Sequence, residues 1–317
     1  MQQYHSLMSK KTWKDHLLSS GVPLEYSVIR IFEELGISDP GEFSYERKTP
    51  DGLSQVFSVD VHARKHDVRR KLYIECLVEC KYRHDGTNWV FVPRDYAEIF
   101  GRGPGFADLF VTLDQCCVDR KLDRSVLEKF EQTYPLCARG IELLPDDANP
   151  KTIEQAVQQL RYAVVAKVID AIEWQIFMSD PDISDVTPMY VIVPIIVTTA
   201  QLWRLKVGAS VEDIRSAEDI KDVADPHDVL VLHQRPDNLD ERDTKQRMSE
   251  TFAPMKKELN DLFKQTGYGF GVFSSRFATD TPSMFIIISY KRVKTAMKNL
   301  NSFFATDRLI IKRETKK

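Results

Sequence analysis

The amino-acid sequence predicts an α/β protein, because segments with helical apolar spacing alternate with segments whose apolar residues recur at every second position. Two long segments carry this prediction, a helical pattern over 151–177 and a period-two pattern over 72–82. The nearly continuous apolar run 189–198 is typical of a buried central strand. We therefore expect a central sheet flanked by helices.

The first predicted helix begins after Gly21-Val22-Pro23 and ends at Gly36, since proline is tolerated in a first helical turn and glycine commonly follows a last one. Glu25 lies in its first turn, at the margin of the face that is expected to be buried. That face carries apolar residues at helical spacing: Leu24, Val28, Ile31, Phe32 and Leu35.

Two predicted strands follow, and each carries carboxylates on one face. Asp60 lies on the polar side of a strand over 57–63, and Glu79 and Lys81 share one side of a strand over 72–82. A basic turn over 64–71 joins them, so pairing as a hairpin would bring the Asp60 and Glu79 faces together. The alternation assigns to one side of the first strand Phe57, Val59, Val61 and Ala63.

The remaining chain is less regular. We interpret 84–150, with its glycine-rich loop at 101–105, as an insertion. The last third predicts strands near 229–233, 270–273 and 285–289, and helices near 252–264 and ending at 304. Residues 1–206 are assigned to a core domain, and 207–317 to an α/β extension or small second domain.

Composition limits the classes of function. With 43% hydrophobic and 29% charged residues the chain is globular, and its net charge of −3 excludes a globally basic nucleic-acid coat. Five cysteines without a CxxC pair fit neither a disulfide framework nor a zinc ribbon. No membrane span or signal peptide is predicted, so we expect a cytoplasmic protein.

Asp60, Glu79 and Lys81 have the chemistry that phosphodiester hydrolysis requires. The two carboxylates and the backbone carbonyl of Cys80 are oxygen ligands of the kind that Mg²⁺ prefers. Lys81 projects from the Glu79 face about 6.6 Å further along the strand, beside a developing negative charge. Glu25 is a candidate for completing the metal shell, directly or through water.

The order of these elements resembles the PD-(D/E)xK nuclease superfamily. The likeness rests on helix residue Glu25, strand residue Asp60, the run Glu79-Cys80-Lys81, and Gln158-x-x-x-Tyr162 in the long helix, which is similar to the QxxxY motif of RecB-like members. Val59 stands where the family name has proline. The resemblance covers roughly 21–83 and 151–206. It implies a restriction-endonuclease-like mixed central sheet flanked by helices, with an insertion and a C-terminal α/β extension.

The resemblance further implies a Mg²⁺-dependent nuclease acting on DNA, with Mn²⁺ as an alternative cofactor, in restriction, repair or phage defence. Gln158 and Tyr162 would contact DNA near the site. The sequence does not distinguish DNA from RNA, and it leaves open a homodimer or a partner protein at the C-terminal third. Candidate phosphate contacts in the basic turn are Arg64, Lys65, Arg69 and Arg70.

Each feature also has a structural interpretation. Glu79 and Lys81 could lie on the solvated side of a hairpin, and Glu25 could simply favour the helix dipole. Glu75 is interpreted as surface charge, with an accessory ligand or a residue that holds Lys81 in place as the alternative. The basic turn and the Gln158/Tyr162 pair could be ordinary surface. The chain could also be a catalytically inactive member of the same fold that binds nucleic acid or serves in protein assembly.

Overall fold

A computed structural model describes residues 12–48, 52–96, 98, 110–114, 117, 119–144, 148–149, 151–180, 182–183, 186–264 and 269–313. The predicted loop at 101–105 lies outside these ranges. The described strands are β1 (Ser38–Lys48), β2 (Ser54–Asp67), β3 (Leu72–Lys81), β4 (Asn88–Pro93), β5 (Val111–Thr112), β6 (Arg120–Leu122), β7 (Leu136–Leu143), β8 (Ala148–Asn149), β9 (Met189–Thr198), β10 (Gln201–Leu205), β11 (Ala224–His227), β12 (Val229–His233), β13 (Met284–Ser289) and β14 (Ile310–Lys312).

The described helices are α1 (Trp13–Ser19), α2 (Val22–Glu34), α3 (Arg124–Thr133), α4 (Lys151–Met178), α5 (Val211–Ser216), α6 (Ile220–Val223), α7 (Asn238–Phe252), α8 (Lys256–Lys264), α9 (Phe270–Asp280) and α10 (Val293–Phe304). None of them is long and apolar enough to cross a membrane.

A large mixed sheet forms the centre of the fold, in the strand order β1-β2-β3-β9-β13-β12-β7-β4-β10-β11. β2 runs antiparallel to β3, and β9 runs parallel to β3 along its whole length, from Leu72↔Met189 to Lys81↔Thr198. Strands of the predicted core, the predicted insertion and the predicted extension are thus hydrogen-bonded in one sheet. β7 and β4 come from the segment interpreted as an insertion, and β12 and β13 from the last third.

Helices cover both faces of this sheet. On one face α4 packs with α7, α8 and α9 against residues such as Leu77. On the other, α2, α3 and α10 pack against residues such as Ile74 and Val78. All ten residues of β9 are buried, because the strand is covered on both sides. The predicted α/β architecture with a mixed sheet flanked by helices is confirmed.

The helix predicted to end at Gly36 is confirmed as α2, and the helix over 151–177 as α4. The strands predicted at 72–82, 189–198, 229–233 and 285–289 are confirmed as β3, β9, β12 and β13. The strand predicted at 270–273 is wrong, since this segment begins α9, where Phe273 and Phe277 repeat at helical spacing and are buried. The basic turn is also shorter than predicted. β2 continues to Asp67, so only 68–71 form the turn.

Candidate functional site

Asp60 lies at an irregularity in β2. Between the pairs Gly41↔His62 and Phe43↔Val59, β2 contains one residue more than β1, which defines a β-bulge. Val59 therefore packs on the α4 side of the sheet and Val61 on the α2 side. The predicted alternation, with both valines on one face, is wrong at this point.

The bulge frees the Asp60 side chain to reach the neighbouring strand. Its Oδ2 accepts a hydrogen bond of 2.6 Å from the backbone N–H of Cys80. Cys80 stands between Glu79 and Lys81, so the contact ties Asp60 to the end of β3. The expected meeting of Asp60 with the Glu79 segment is present, but it depends on the bulge and not on simple alternation.

Glu79 and Lys81 lie on the α4 side of β3. Lys81 Nζ donates to Glu79 Oε1 at 2.5 Å and to Gln159 Oε1 of α4 at 3.0 Å. Glu79 is 1% exposed, so its interpretation as part of a solvated face is wrong. Its second oxygen, Oε2, is buried and has no hydrogen-bond partner among the described residues. A buried carboxylate oxygen left in this state costs free energy, which a bound cation would offset.

The electrostatics of the site follow from crowded carboxylates. Burial raises the pKa of Glu79 to about 7, and the Asp60 charge adds to this against the opposing charge of Lys81. Burial also raises the pKa of Asp60, although the Cys80 N–H and Lys81 act in the other direction. The pKa values of both carboxylates are therefore raised in the absence of a bound cation.

Glu25 is near this cluster but is not a third member of it. Burial and the charges of Asp60 and Glu42 raise the pKa of Glu25. Its Oε1 folds back towards Gly21 at the start of α2, 3.0 Å from the position of a Cβ at that glycine. Among the described side chains, no three His, Cys, Asp or Glu residues converge as a metal-ligand group. Asp60, Glu79 and the Cys80 carbonyl adjoin one another at β2 and β3. That Glu25 completes the metal shell, directly or through water, stays a prediction.

Sequence reasoning missed two residues of the site. Gln159 binds Lys81, and Glu42 stands in β1 across the bulge, where its charge raises the pKa of both Asp60 and Glu25. Their signals were weak, because choosing Gln159 requires knowing which side of α4 faces β3. Glu42 lies where β1 is irregular, so the period-two pattern did not identify it.

Glu75 differs from its interpretation as surface charge, which is wrong. It is 2% exposed, accepts a hydrogen bond from His62 Nε2, and lies 3.7 Å from Lys167 Nζ. Burial raises the pKa of Glu75, but the His62 hydrogen bond and the Lys167 charge outweigh it, so the pKa is lowered overall. Glu75 is a satisfied internal ion-pair partner.

The basic turn is remote from Asp60. Asp67 pairs with Leu72 beside the turn, whereas Val61 pairs with Val78 near the site. At the ordinary rise per strand residue, the turn 68–71 lies roughly 25 Å from Asp60, whereas Arg64, within β2, lies about 13 Å from it. The expectation that this turn adjoins the site is wrong.

The four basic residues predicted to bind phosphates do not form one surface. Arg64 is exposed and lies 3.4 Å from Asp39, whereas Lys65 points to the opposite face and donates to Asn301 of α10. Arg70 donates to the carbonyls of Phe304 and Thr306 and to Asp67, which gives it a structural role. Arg69 is exposed in the turn.

Gln158 and Tyr162 share a face of α4, as their spacing predicts, but this face meets α7. Tyr162 donates to Asp240 Oδ1 at 3.0 Å and accepts from Arg47 Nη2 at 2.6 Å. The Gln158 amide lies 3.5 Å from Asp240 Oδ2. Arg161 and Asp240 form a buried ion pair of 2.8 Å between the two helices. Gln158 and Tyr162 thus belong to an internal polar network between α4 and α7. Gln159 is the residue of α4 that contacts Lys81.

The arrangement as a whole places the Asp60 and Glu79 carboxylates and an ammonium group together at the end of a central strand. Comparison of this chain with protein-family models, curated proteins and solved structures finds no match.

Proposed function

We propose that the chain is a metal-dependent nuclease of the PD-(D/E)xK type, with a restriction-endonuclease-like core, that hydrolyses DNA phosphodiester bonds. The observation that supports this most directly is the buried Glu79 oxygen without a partner, next to Asp60 and Lys81. A solvated hairpin face has no reason to bury such an oxygen. Restriction, repair or phage defence in the cytoplasm is the setting that the family resemblance suggests.

Asp60, Glu79 and the Cys80 carbonyl would hold Mg²⁺, with Mn²⁺ as an alternative. A cation bound there supplies a positive charge that polarises a phosphate oxygen and acidifies water. Lys81, steadied by its contact with Gln159, offers an ammonium group to the negative charge that develops on the phosphate. Glu79 must lose its proton to act as a ligand, so its raised pKa makes cation binding strengthen as the pH rises towards and beyond 7.

The test is nicking of supercoiled plasmid in Mg²⁺, in Mn²⁺ and in EDTA. Asp60→Asn and Glu79→Gln should abolish cleavage, because each removes a charged oxygen ligand. Lys81→Ala should lose cleavage while retaining most DNA affinity, since its role lies in the transition state. Glu34→Gln is the matched control, because Glu34 is exposed at the far end of α2 and pairs with Lys294. Full cleavage by Glu79→Gln, or cleavage in EDTA, would contradict the proposal.

The alternative is a catalytically inactive module of the same fold that binds nucleic acid or serves in protein assembly. It is favoured by the lack of a three-side-chain ligand group among the described residues and by the pairing of Lys81 with Glu79. It predicts no cleavage in either metal, together with DNA binding that Glu79→Gln leaves unchanged. The same assays therefore separate the two functions.

A further inference from the structure

A polar cleft opens beside the candidate site, between β1 and α7. Its volume is about 850 Å³, within the range of small-molecule sites. Residues 43–48 of β1 form one wall, Ala166 and Ile169 of α4 contribute to the floor, and α7 forms the other wall. Tyr45 belongs to the cleft and donates to the backbone carbonyl of Gln159 at 3.2 Å. The cleft is thus connected to the candidate site through Tyr45 and Gln159, which is the hydrogen-bond partner of Lys81.

Three guanidinium groups line this cleft, from Arg47, Arg242 and Arg247. Unlike Lys48, which pairs with Glu250 at 3.0 Å, they have no ion-pair partner among the described residues. Arg47 Nη2 donates to Tyr162 and Arg247 Nη2 donates to the backbone carbonyl of Glu46 at 3.4 Å. Arg47 Nε and Arg247 Nη1, however, are buried and have no hydrogen-bond acceptor among the described residues. Leaving donors of a charged group unmatched costs free energy, so these two residues point to a missing acceptor with several oxygens.

The carboxylates around the cleft do not supply that acceptor. Glu250 is engaged by Lys48 and Gln246, and Glu46 accepts a hydrogen bond from Ser54. Asp170, which also lines the cleft, lies 3.9 Å from Lys167. Asp243 lies close enough to feel the charges of Arg47 and Arg247, yet its Oδ2 is buried and unpartnered too. Asp243 therefore acts as a local counter-charge that an incoming anion would compete with.

We propose that this cleft is a phosphate-binding site in which Arg47 and Arg247 are the ligands of a nucleotide phosphate. Guanidinium groups bind phosphate oxygens with two parallel hydrogen bonds. Rotation of either group within the cleft would present its unmatched N–H to the anion, and for Arg47 this would replace its hydrogen bond to Tyr162. Phe43 and Leu239 offer apolar surface for a base. The ligand is a free nucleotide or one nucleotide unit of a nucleic-acid strand. This binding requires no metal and does not depend on the chain being a nuclease.

The experiment measures binding in EDTA, by anisotropy for a short labelled single-stranded oligonucleotide and by calorimetry for ADP. Arg47→Gln and Arg247→Gln should each weaken binding by about tenfold or more, as loss of a charged hydrogen bond predicts. Arg247→Lys keeps the positive charge but loses the planar guanidinium, so its affinity should fall between those of the wild type and Arg247→Gln. Asp243→Asn should bind severalfold tighter. Arg215→Gln is the matched control, since Arg215 is an exposed arginine outside the cleft.

Thermal melting of each variant checks that it is folded. If Arg247→Gln does not fold, the binding comparison is made with Arg247→Lys instead. Binding of the oligonucleotide alone assigns the phosphate to a strand, whereas binding of ADP as well assigns it to a nucleotide. The proposal is overturned if neither ligand binds the wild type. It is also overturned if Arg47→Gln and Arg247→Gln bind as well as Arg215→Gln, or if Asp243→Asn binds no tighter. None of these outcomes bears on cleavage, so failure here is distinct from failure of the nuclease proposal.

Discussion

Glu75 and Glu79 are four residues apart on the same face of β3, and both are almost fully buried, at 2% and 1% exposure. Glu75 has a hydrogen bond from His62 and the charge of Lys167, and its pKa is lowered. Among the described residues, Glu79 has a hydrogen bond from Lys81 alone, on one oxygen, and the Asp60 and Glu25 charges are nearby. The pKa of Glu79 is raised to about 7. Burial alone therefore does not separate a structural carboxylate from a candidate ligand. The number and sign of its neighbours do.

Glu75 and Glu79, at the two ends of this face of β3, show two ways in which a protein accommodates a buried negative charge. At Glu75 the protein itself supplies the Lys167 ammonium group and a hydrogen bond from His62, so removing the carboxylate would leave buried partners unmatched. At Glu79 three carboxylates face one ammonium group, so the protein alone leaves negative charge uncompensated. Such an arrangement is costly for folding and useful for binding a cation.

The largest expected difference is in stability. Glu75→Gln removes one partner of a buried ion pair and should lower the free energy of unfolding by about 3 kcal/mol. Glu79→Gln should cost less than about 1 kcal/mol or stabilise the protein, because it removes an unfavourable charge. Urea unfolding at pH 7 in EDTA measures both. Equal losses in the two variants would abolish the distinction between the two carboxylates.

The dependence of stability on pH should also differ between Glu75 and Glu79. The folded pKa of Glu79 lies above its ordinary value of 4.5, so the folded state binds more protons and stability falls as pH rises from 4.5 to 7, by at most about 3 kcal/mol. Glu75 acts oppositely, since its lowered pKa gives stability that is present above pH 4.5 and lost as the pH falls below it. Unfolding curves over this range should show a flatter decline for Glu79→Gln. An unchanged slope would contradict the raised pKa.

Cation binding should show a smaller effect, confined to the Glu79 end of the face. Mg²⁺ at ten times its dissociation constant stabilises a folded protein by about 1.4 kcal/mol, roughly 2 to 4 °C in melting temperature for a chain of this class. The wild type and Glu34→Gln should show this rise at pH 8, where Glu79 is ionised. Glu79→Gln and Asp60→Asn should not. A rise of the same size in all four proteins would mean that Mg²⁺ binds elsewhere.

The smallest expected effect concerns Glu25, which adds charge to the Glu79 end without joining its ligands. Glu25→Gln should raise the Mg²⁺ concentration for half-maximal cleavage severalfold, because one negative charge near the cation is lost. Its thermal stability should change little, since the side chain is only half-buried at a helix start. A titration of cleavage against Mg²⁺ makes the measurement. An unchanged requirement would leave Glu25 with a helix-end role only.

The candidate site could be predicted in outline because its strand residues obey a local rule. Alternation along β3 correctly assigned Glu79 and Lys81 to one face and Cys80 to the other. The same rule failed in β2, where the extra residue of the bulge reverses the faces between Val59 and Val61. It also gave no means of ranking Glu75 and Glu79, because their partners His62, Lys167 and Asp60 come from other elements.

The sequence by itself determined the elements that depend on neighbours a few positions away: the helices α2 and α4, the strands β3 and β9, and the α/β class. Periodicity and capping are local, so a single chain displays them. Only the tertiary structure decided that β4, β7, β12 and β13 join one sheet, that Gln159 and not Gln158 meets Lys81, and that the basic turn lies far from Asp60. These features depend on which distant segments pack together, and that choice is made by burying both faces of the sheet at once.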